Sequence, residues 1–449
     1  MTTLRKVGQW MCMPLLVMAA AGAAWGVPSF ARQTGLPCSR CHITFPELTA
    51  FGRQFKLNGY TLSGKNTPKI YKPGSKNEAG LWLNENLPLS AMFQISDTLT
   101  RKAQPGTQNG NIEFPQQLSL FLAGELATHM GSFIQVTYNT QGDHFSMDNT
   151  DIRYANLRYF GSKPLVYGLD LNNNPTVEDL WNDTPAWGFP WAGPDSSPSP
   201  MASTLIDGGL AQDVGGVGAY AMYNNSFYGD FTLYRSMHIG GPQPPDGKGF
   251  GINISGVAPY WRGAYQTTWG SGLNYLEVGT YGMHVNSFPN TIGGAENRYT
   301  DAAGDAQYER HLGKDTLTLH TTYIHESSNL FGTLAARGAS FAAHKLHTFK
   351  LDGLYHLGNM YAFGGGGFST SGTADATLFA SGALNGSNNG SPDSNGYILE
   401  ASYWPVQNIS LQLYYLGFTK FNGASTNYDG AGRNASDNNT LYINLWLMF

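Results

Sequence analysis

Most of this chain alternates between hydrophobic and polar residues with a period of two. In the final segment, hydrophobic residues occupy the odd positions from 441 to 449, and Tyr442, Asn444, Trp446 and Met448 lie between them. A period of two is that of a β-strand, whose successive side chains point to opposite faces of a sheet. The pattern predicts sixteen strands, at residues 87–101, 116–127, 131–140, 150–160, 163–171, 216–224, 226–238, 257–268, 272–286, 299–310, 314–327, 344–357, 359–371, 394–404, 406–419 and 438–449.

The connections between these segments alternate in length. Connections after even-numbered segments are short, such as residues 161–162 and the single residues Asn225 and Gly358. Connections after odd-numbered segments are mostly long, such as residues 172–215 and 372–393. An even strand number with alternating short and long connections is typical of bacterial outer-membrane barrels, and a secreted sandwich or propeller gives no reason for it. The sequence therefore predicts an all-β fold, a 16-stranded antiparallel transmembrane β-barrel that is porin-like and spans residues 81–449.

Composition supports a barrel in contact with outer-membrane lipid. Charged residues make up 13% of the chain, against about 25% in ordinary soluble domains. Aromatic residues also make up 13%, there are 56 glycines, and the mean hydropathy is −0.28. Strands with one face in lipid and one in water combine few charges with mild polarity in this way. The formal net charge is −5 and no basic block occurs, so we expect no nucleic-acid partner.

The first 26 residues have the pattern of a secretory signal peptide. Arg5 and Lys6 precede an apolar run over residues 11–24, and small residues surround the expected cleavage point after Gly26. The alternative is an uncleaved anchor, but the run is short for a membrane-spanning helix.

Residues 27–80 differ from the barrel and contain the motif that carries chemistry. Cys38, Cys41 and His42 form the Cys-x-x-Cys-His pattern of covalent haem attachment. Two thiols on one helical turn can bond the two vinyl groups of one porphyrin, and the adjacent histidine can then ligate the iron. A redox cysteine pair would normally accompany a βαβ pattern. A zinc site would need further ligands, yet the next histidine is His129. We therefore predict one haem c, bound by Cys38, Cys41 and His42, with His42 as the metal ligand.

No second iron ligand lies near this motif in the sequence. The strand alternation points Met92, Met283, His320 and His356 into the lumen, where each is either a candidate sixth ligand or ordinary lumen lining. About 50 residues rarely form a stable domain alone, and a 16-stranded barrel has room for a plug. We expect residues 27–80, a haem segment with a short helix and a linker, to lie in the lumen or at its periplasmic mouth.

A longer run around the motif resembles a known family. Beside the haem motif it includes Val27 to Gly35, Phe45-Pro46-Glu47-Leu48, Phe51 to Lys56 and Asn58-Gly59-Tyr60. This run is similar to the fused monohaem cytochrome–porins of the outer membrane of iron-oxidising bacteria. The resemblance covers residues 27–62, and the barrel agrees in length, strand number and the final Phe449. It implies oxidation of extracellular Fe(II), or of another reduced donor, with electrons passed to a periplasmic c-type cytochrome.

The long connection at 172–200 has its own candidate residues. Glu178, Asp179, Asp183 and Asp195 could attract Fe(II), because carboxylate oxygens suit hard divalent cations. The alternative is an ordinary solvated loop. Six prolines and three tryptophans in this stretch predict an ordered loop or lid.

Several functions compete at this point. Besides iron oxidation, the pattern allows electron transfer with another donor or acceptor, a haem-plugged porin for passive uptake, and a haem peroxidase or gas sensor. No Ser-His-Asp set, phosphate-binding glycine loop or paired-carboxylate signature indicates a hydrolase or transferase, so no catalytic residue is assigned. If the resemblance holds, the activity is that of an Fe(II)-oxidising oxidoreductase.

Overall fold

The computed structural model of the protein describes residues 28–62, 86–237, 253–289 and 293–449. The predicted signal peptide and nearly all of the predicted linker at 61–80 lie outside the described residues. The expected boundary near residue 81 lies outside them as well. Among the described residues, no helix is long and apolar enough to cross a membrane.

The described strands form one closed antiparallel sheet. The strands are β1 (Leu89–Thr100), β2 (Asn111–Ala127), β3 (Met130–Asn139), β4 (His144–Phe160), β5 (Lys163–Asn172), β6 (Val214–Tyr223), β7 (Phe227–Ser236), β8 (Asn253–Ile254), β9 (Ala258–Trp269), β10 (Asn274–Phe288), β11 (Asn297–Leu312), β12 (Asp315–Leu330), β13 (Ala343–Leu357), β14 (Tyr361–Gly372), β15 (Ser394–Val406), β16 (Ile409–Lys420) and β17 (Thr440–Met448). Each long strand pairs with the next along the chain, and β1 also pairs with β17, which closes the barrel. The two-residue β8 adds only a short pairing to the end of β10, and β7 pairs directly with β9.

The prediction of a 16-stranded barrel is confirmed, with differences at strand ends. Each predicted segment overlaps one long strand, but β2 begins at Asn111 and β4 at His144, earlier than predicted. The added residues of β4, from His144 to Asp148, are mostly exposed and still alternate polar and apolar side chains. The turn-favouring Asp148-Asn149 pair, where the β3–β4 register shifts, separates them from the rest of the strand.

The outer surface of the barrel is apolar. Leu169, Val217 and Phe231 are each more than half exposed on this face. Exposed aromatic side chains gather near the ends joined by short turns, as in the aromatic girdles of transmembrane barrels: Tyr159, Phe160, Tyr223, Phe227, Trp269 and Tyr361. Alternate positions point inward and are polar or aromatic, such as Gln94, Tyr442 and Asn444.

The two ends of the barrel differ. One end, the short-turn rim, carries tight connections such as 128–129 and 161–162, together with the first residue of β1 and the last of β17. The other end, the long-loop rim, carries the long connections. One of these, the inner loop at residues 173–213, folds into the lumen. Val177, Leu180 and Trp181 in this loop are at most 1% exposed.

The burial of the inner loop corrects the interpretation of Glu178, Asp179 and Asp183 as part of a solvated outer loop. Glu178 and Asp179 are fully buried and Asp183 is 7% exposed, whereas Asp195 is exposed. The sequence placed these residues in a long connection between two strands, but it did not reveal that this connection turns back into the barrel. The prediction of an ordered loop fits the observed packing.

The N-terminal segment, residues 28–62, is called the plug here. It contains α1 (Pro28–Thr34), α2 (Cys38–Cys41) and α3 (Ala50–Leu57), and a fourth helix, α4 (Phe331–Ala335), lies at the long-loop rim. The plug contacts inward-facing groups of several strands. Ser29 Oγ lies 3.2 Å from Ser90 Oγ on β1, and the Tyr60 hydroxyl donates to Asp151 Oδ2 on β4 at 2.6 Å. The plug therefore lies inside the lumen, in the half that adjoins the short-turn rim.

Candidate cofactor site

The Cys-x-x-Cys-His motif forms a single helical turn followed by an extended residue. Helix α2 spans Cys38–Cys41, and the backbone N–H of His42 donates to the Cys38 carbonyl at 2.8 Å. Residues three apart lie on one face of a helix, so both thiols point to the same side. Both cysteines are half-buried and are not joined by a disulfide.

Helix α3 packs tightly against this turn, and Gly52 makes the close contact possible. A Cβ atom at Gly52 would lie 2.1 Å from the Cys41 carbonyl oxygen, so any larger residue would push the two helices apart. Thr49 fixes the start of α3: its hydroxyl accepts from the Gly52 N–H at 3.1 Å and donates to the Arg40 carbonyl at 2.7 Å. The residues around Gly52 in the sequence therefore serve to hold the motif in place.

An apolar cavity adjoins both cysteines and His42. The plug supplies most of the wall, and β3 and the inner loop supply the rest. The large side chains in the wall are Phe30, Leu36, Phe45, Leu48, Phe55, Tyr60, Phe133 and Trp187. We call this space the plug cavity.

A second cavity, of about 550 Å³, borders Cys38 and His42 from the other side but not Cys41. Because a covalent porphyrin must reach both thiols, the plug cavity is the space that fits it.

The His42 ring has the properties of a metal ligand. It stacks on Phe45 with 4.2 Å between the ring centroids, and its Nδ1 is buried without a hydrogen-bond partner among the described residues. Burial lowers the pKa of His42 to about 4. The ring is therefore neutral at physiological pH, and the neutral imidazole is the form that ligates metals. Two thiols on one turn, a neutral imidazole and an apolar cavity together fit a covalently attached haem.

The four candidate sixth ligands point into the lumen, as the alternation predicted. Met92, Met283, His320 and His356 are each at most 7% exposed. None of them lines the plug cavity, whose described wall contains no methionine and no histidine other than His42. Met92 packs against Phe121 and Trp446. The structure thus favours lumen lining over iron ligation for these residues.

His320 and His356 hold the plug through Glu47, a residue to which the sequence analysis assigned no role. Glu47 lies 3.2 Å from His356 Nε2 and 3.4 Å from His320 Nε2, and Thr44 donates to it at 3.0 Å. Burial alone would raise the pKa of Glu47, but the two histidines hold it at about 2. Glu47 therefore attaches the loop that follows His42 to β12 and β13.

Two basic residues of α3, to which the sequence analysis assigned no role, also anchor the plug. Arg53 forms a buried ion pair with Glu309 on β11 and donates to the Leu48 carbonyl at 2.7 Å. Lys56 donates to the Val177 carbonyl at 2.8 Å and to Asn182 Oδ1 at 2.9 Å. Burial lowers the pKa of Lys56 to about 7. These anchors could have been identified from the sequence, because charged residues on a short helix inside a barrel need polar partners on the barrel wall or the inner loop.

Behind the inner loop, acidic side chains surround Arg262 on β9. We call this group the carboxylate cluster, and its acidic members are Asp179, Asp183, Glu277 and Asp305. Arg262 Nη2 lies 2.7 Å from Asp305 and 3.2 Å from Asp179, and every side chain of the group is at most 1% exposed. Burial and the neighbouring carboxylates raise the pKa of Asp183 well above its usual range.

Comparison with known proteins gives similarity to solved structures only. No family model matches the chain, and no curated protein matches it. Among solved structures, the outer membrane channel DcaP of Acinetobacter baumannii has a TM-score of 0.46 and 11% identity over 80% of this chain and 96% of its own. Pseudomonas putida OprB has a TM-score of 0.45 and 10% identity, over 80% and 93%. Salmonella typhi OmpF has a TM-score of 0.43 and 12% identity, over 80% and 97%.

The class of the protein follows from its own strand pairing and surface. A closed antiparallel barrel with an even number of long strands, an apolar outer face and alternating short and long connections is a porin-like outer-membrane β-barrel.

Proposed function

We propose that this protein is an outer-membrane electron conduit that carries one haem c on Cys38, Cys41 and His42 and oxidises extracellular Fe(II). Each Fe(II) that becomes Fe(III) gives up one electron, and one electron reduces a periplasmic c-type cytochrome. The observation that carries the proposal is the Cys-x-x-Cys-His turn facing an apolar cavity inside a membrane barrel.

The residues of the chain have distinct parts in this proposal. Cys38 and Cys41 attach the porphyrin, and His42 supplies a nitrogen ligand from the same turn. Phe55, Phe133 and Trp187 give the cavity an apolar wall, which matters because burial and solvent access tune a haem's potential. A bound haem would supply one-electron oxidation and reduction at its iron.

The position of the plug agrees with this direction of transfer. Outer-membrane barrels have their short turns in the periplasm, and the plug lies in the half of the lumen next to the short-turn rim. A periplasmic cytochrome would then dock at that rim, and Fe(II) would enter from the long-loop rim. The resemblance of residues 27–62 to cytochrome–porins supports the same donor and acceptor.

Stopped-flow absorbance tests the proposal. Oxidised protein in detergent is mixed with anaerobic Fe(II), and we expect the reduced haem bands to appear rapidly. A Cys38→Ser/Cys41→Ser variant should lose covalent haem completely in a denaturing gel stained for haem, because no thiol remains to form the bonds. His129→Ala, in a turn outside the plug cavity, should keep its haem. Full reduction by dithionite without reduction by Fe(II) would remove iron as the donor and leave another donor or acceptor.

Passive uptake is a second candidate, favoured by one observation. A polar cavity of about 1050 Å³ opens at the long-loop rim, lined by residues such as Thr98, Gln104 and Asn109. Planar-bilayer conductance separates the two functions: a steady open-channel current through the intact protein would support solute passage, and its absence would leave electron transfer alone.

A further inference from the structure

We propose that Asp183, Glu277 and Asp305 bind one divalent metal cation inside the lumen, and that this is where the Fe(II) substrate is held before oxidation. The role of this site in Fe(II) oxidation rests on the proposed function, whereas the cation site itself rests on geometry alone.

The three carboxylates converge on one point. Glu277 lies on β10, Asp305 on the neighbouring β11, and Asp183 on the inner loop above them. One oxygen of each lies within 4.8 Å of an oxygen of both others. Two metal–oxygen bonds on opposite sides of a cation span about 4.2 Å for Mg²⁺ and up to about 5 Å for Ca²⁺. The spacing is therefore that of ligands around a single ion.

Gly279 provides the space in which two of these side chains meet. A Cβ atom at Gly279 would lie 2.7 Å from both Asp305 Oδ1 and Glu277 Oε1. A larger residue at this position would occupy the space where the two carboxylates approach each other.

The burial of the Asp183 carboxylate is the observation that points to a bound ligand. Its side chain is 1% exposed, and its oxygens accept no hydrogen bond from an N–H or hydroxyl group of the described residues; its polar neighbours are Arg262 and the carboxyl group of Asp179. Its nearest cation is Arg262, with 3.6 Å between Oδ1 and Nη2. Glu277 Oε2 is likewise buried without a partner. Buried carboxylates are normally hydrogen-bonded, paired or bound to metal, because an isolated buried charge is very costly.

The charges of the surrounding groups leave room for a divalent ion. With all four acids of the carboxylate cluster ionised and Lys56 protonated, Arg262 and Lys56 balance two of the four negative charges and two remain. The adjacent Arg53–Glu309 pair is neutral overall. One divalent cation would balance the cluster.

The donor atoms select the class of ion. Oxygen-only ligands favour Mg²⁺, Ca²⁺ and Mn²⁺, and they accept Fe²⁺, whereas soft metals prefer sulfur. Arg262 holds both oxygens of Asp305, at 2.9 and 2.7 Å, and so fixes its orientation. Each carboxylate oxygen has two lone pairs, so these bonds leave Asp305 able to coordinate.

The site lies close to the plug cavity. Asp183 directly follows Asn182, which lines the cavity and donates to the Pro46 carbonyl at 3.0 Å. A cation held by Asp183 would therefore be separated from the cavity by little more than one loop residue.

A second group of buried acids provides the control. Glu178 is fully buried on the same loop, near Arg153 on β4, which donates to its carbonyl. Glu178 is not among the three carboxylates that converge. Glu178→Gln thus removes one buried negative charge from the inner loop without removing a proposed ligand.

Titration of the purified protein with Mn²⁺, followed by the electron paramagnetic resonance signal of the free ion, tests the site without using haem reduction. We expect one bound Mn²⁺ per barrel, a loss of affinity of at least about tenfold in Asp183→Asn and in Glu277→Gln, and near-normal affinity in Glu178→Gln. Equal affinity in all variants, or no binding by the unmodified protein, would overturn the site and leave the carboxylates balanced by protons.

Fe(II) stopped-flow on the same variants separates this inference from the proposed function. We expect Asp183→Asn to slow reduction by low Fe(II) at least about tenfold while reduction by dithionite is unchanged. Mn²⁺ binding without any Fe(II) reduction would sink the iron-oxidation proposal and keep the cation site. Rapid Fe(II) reduction at the same rate in all variants would overturn the role of the site.

Discussion

The two sides of the inner loop differ in chemistry and in how they are assembled. On one side the plug cavity is apolar, and most of its wall comes from about 30 consecutive residues around the cysteine motif. On the other side the carboxylate cluster is acidic, and its members come from the loop and from β10 and β11. Trp187 and Asn182 line the cavity, while Asp179 and Asp183 belong to the cluster.

This difference shows how one loop can separate two environments within a single barrel. A low-polarity space suits a porphyrin, whereas a divalent ion needs fixed oxygen ligands. The short distance between them arises because Asn182, in the cavity wall, and Asp183, in the cluster, are adjacent in the loop. Three substitutions test this separation: one should affect both sides of the loop, one the cavity side alone, and one only the wall between them.

The largest effect is expected from breaking the buried Arg53–Glu309 ion pair, which anchors α3 to β11. Arg53→Met leaves Glu309 buried without its partner and should lower the free energy of unfolding by about 3–5 kcal/mol. Because Arg53 also lies near the carboxylate cluster, both haem content and Mn²⁺ affinity should fall. Urea unfolding in detergent micelles measures the stability. The matched control is Arg53→Met/Glu309→Met, which should recover most of the loss because no unpaired charge remains.

A smaller effect, limited to the cavity side, is expected from Gly52→Ala. The added Cβ would clash with the Cys41 carbonyl and separate α2 from α3. Overpacking of this kind costs about 1–3 kcal/mol, and we expect reduced covalent haem content with unchanged Mn²⁺ binding. Gly263→Ala is the control, because a Cβ there meets no atom within 4 Å. Equal haem content in both variants would show that the close helix contact is not needed for attachment.

The smallest effect is expected from Asn182→Ala in the wall between the two sites. The variant loses the hydrogen bond to the Pro46 carbonyl and the one from Lys56. Each such bond contributes about 1 kcal/mol, so the inner loop should exchange its backbone hydrogens faster while haem content stays near normal. Gln108→Ala, at an exposed amide of the long-loop rim, should leave the exchange of the inner loop unchanged. Unaltered exchange in Asn182→Ala would mean that other contacts hold the wall.

The strands were predictable because lipid imposes its own pattern. A strand with one face in hydrocarbon must place an apolar side chain at every second position, and this requirement acts on each strand separately. The early starts of β2 and β4 were missed because Pro115 and the Asp148-Asn149 pair, residue types that usually end a strand, lie between the added residues and the rest of each strand. The alternation also predicted that Met92 and His356 point inward, but it could not predict which residues they contact.

The features that could be predicted from the sequence are local: the strand alternation, the loop lengths and the spacing of Cys38, Cys41 and His42 on one turn. Each of these depends on residues that are neighbours along the chain. The folded barrel was needed to show that Glu47 meets two histidines of β12 and β13, that the inner loop is buried, and that Asp183 converges with Glu277 and Asp305. These contacts join residues tens to hundreds of positions apart, and barrel closure together with the path of one loop brings them together.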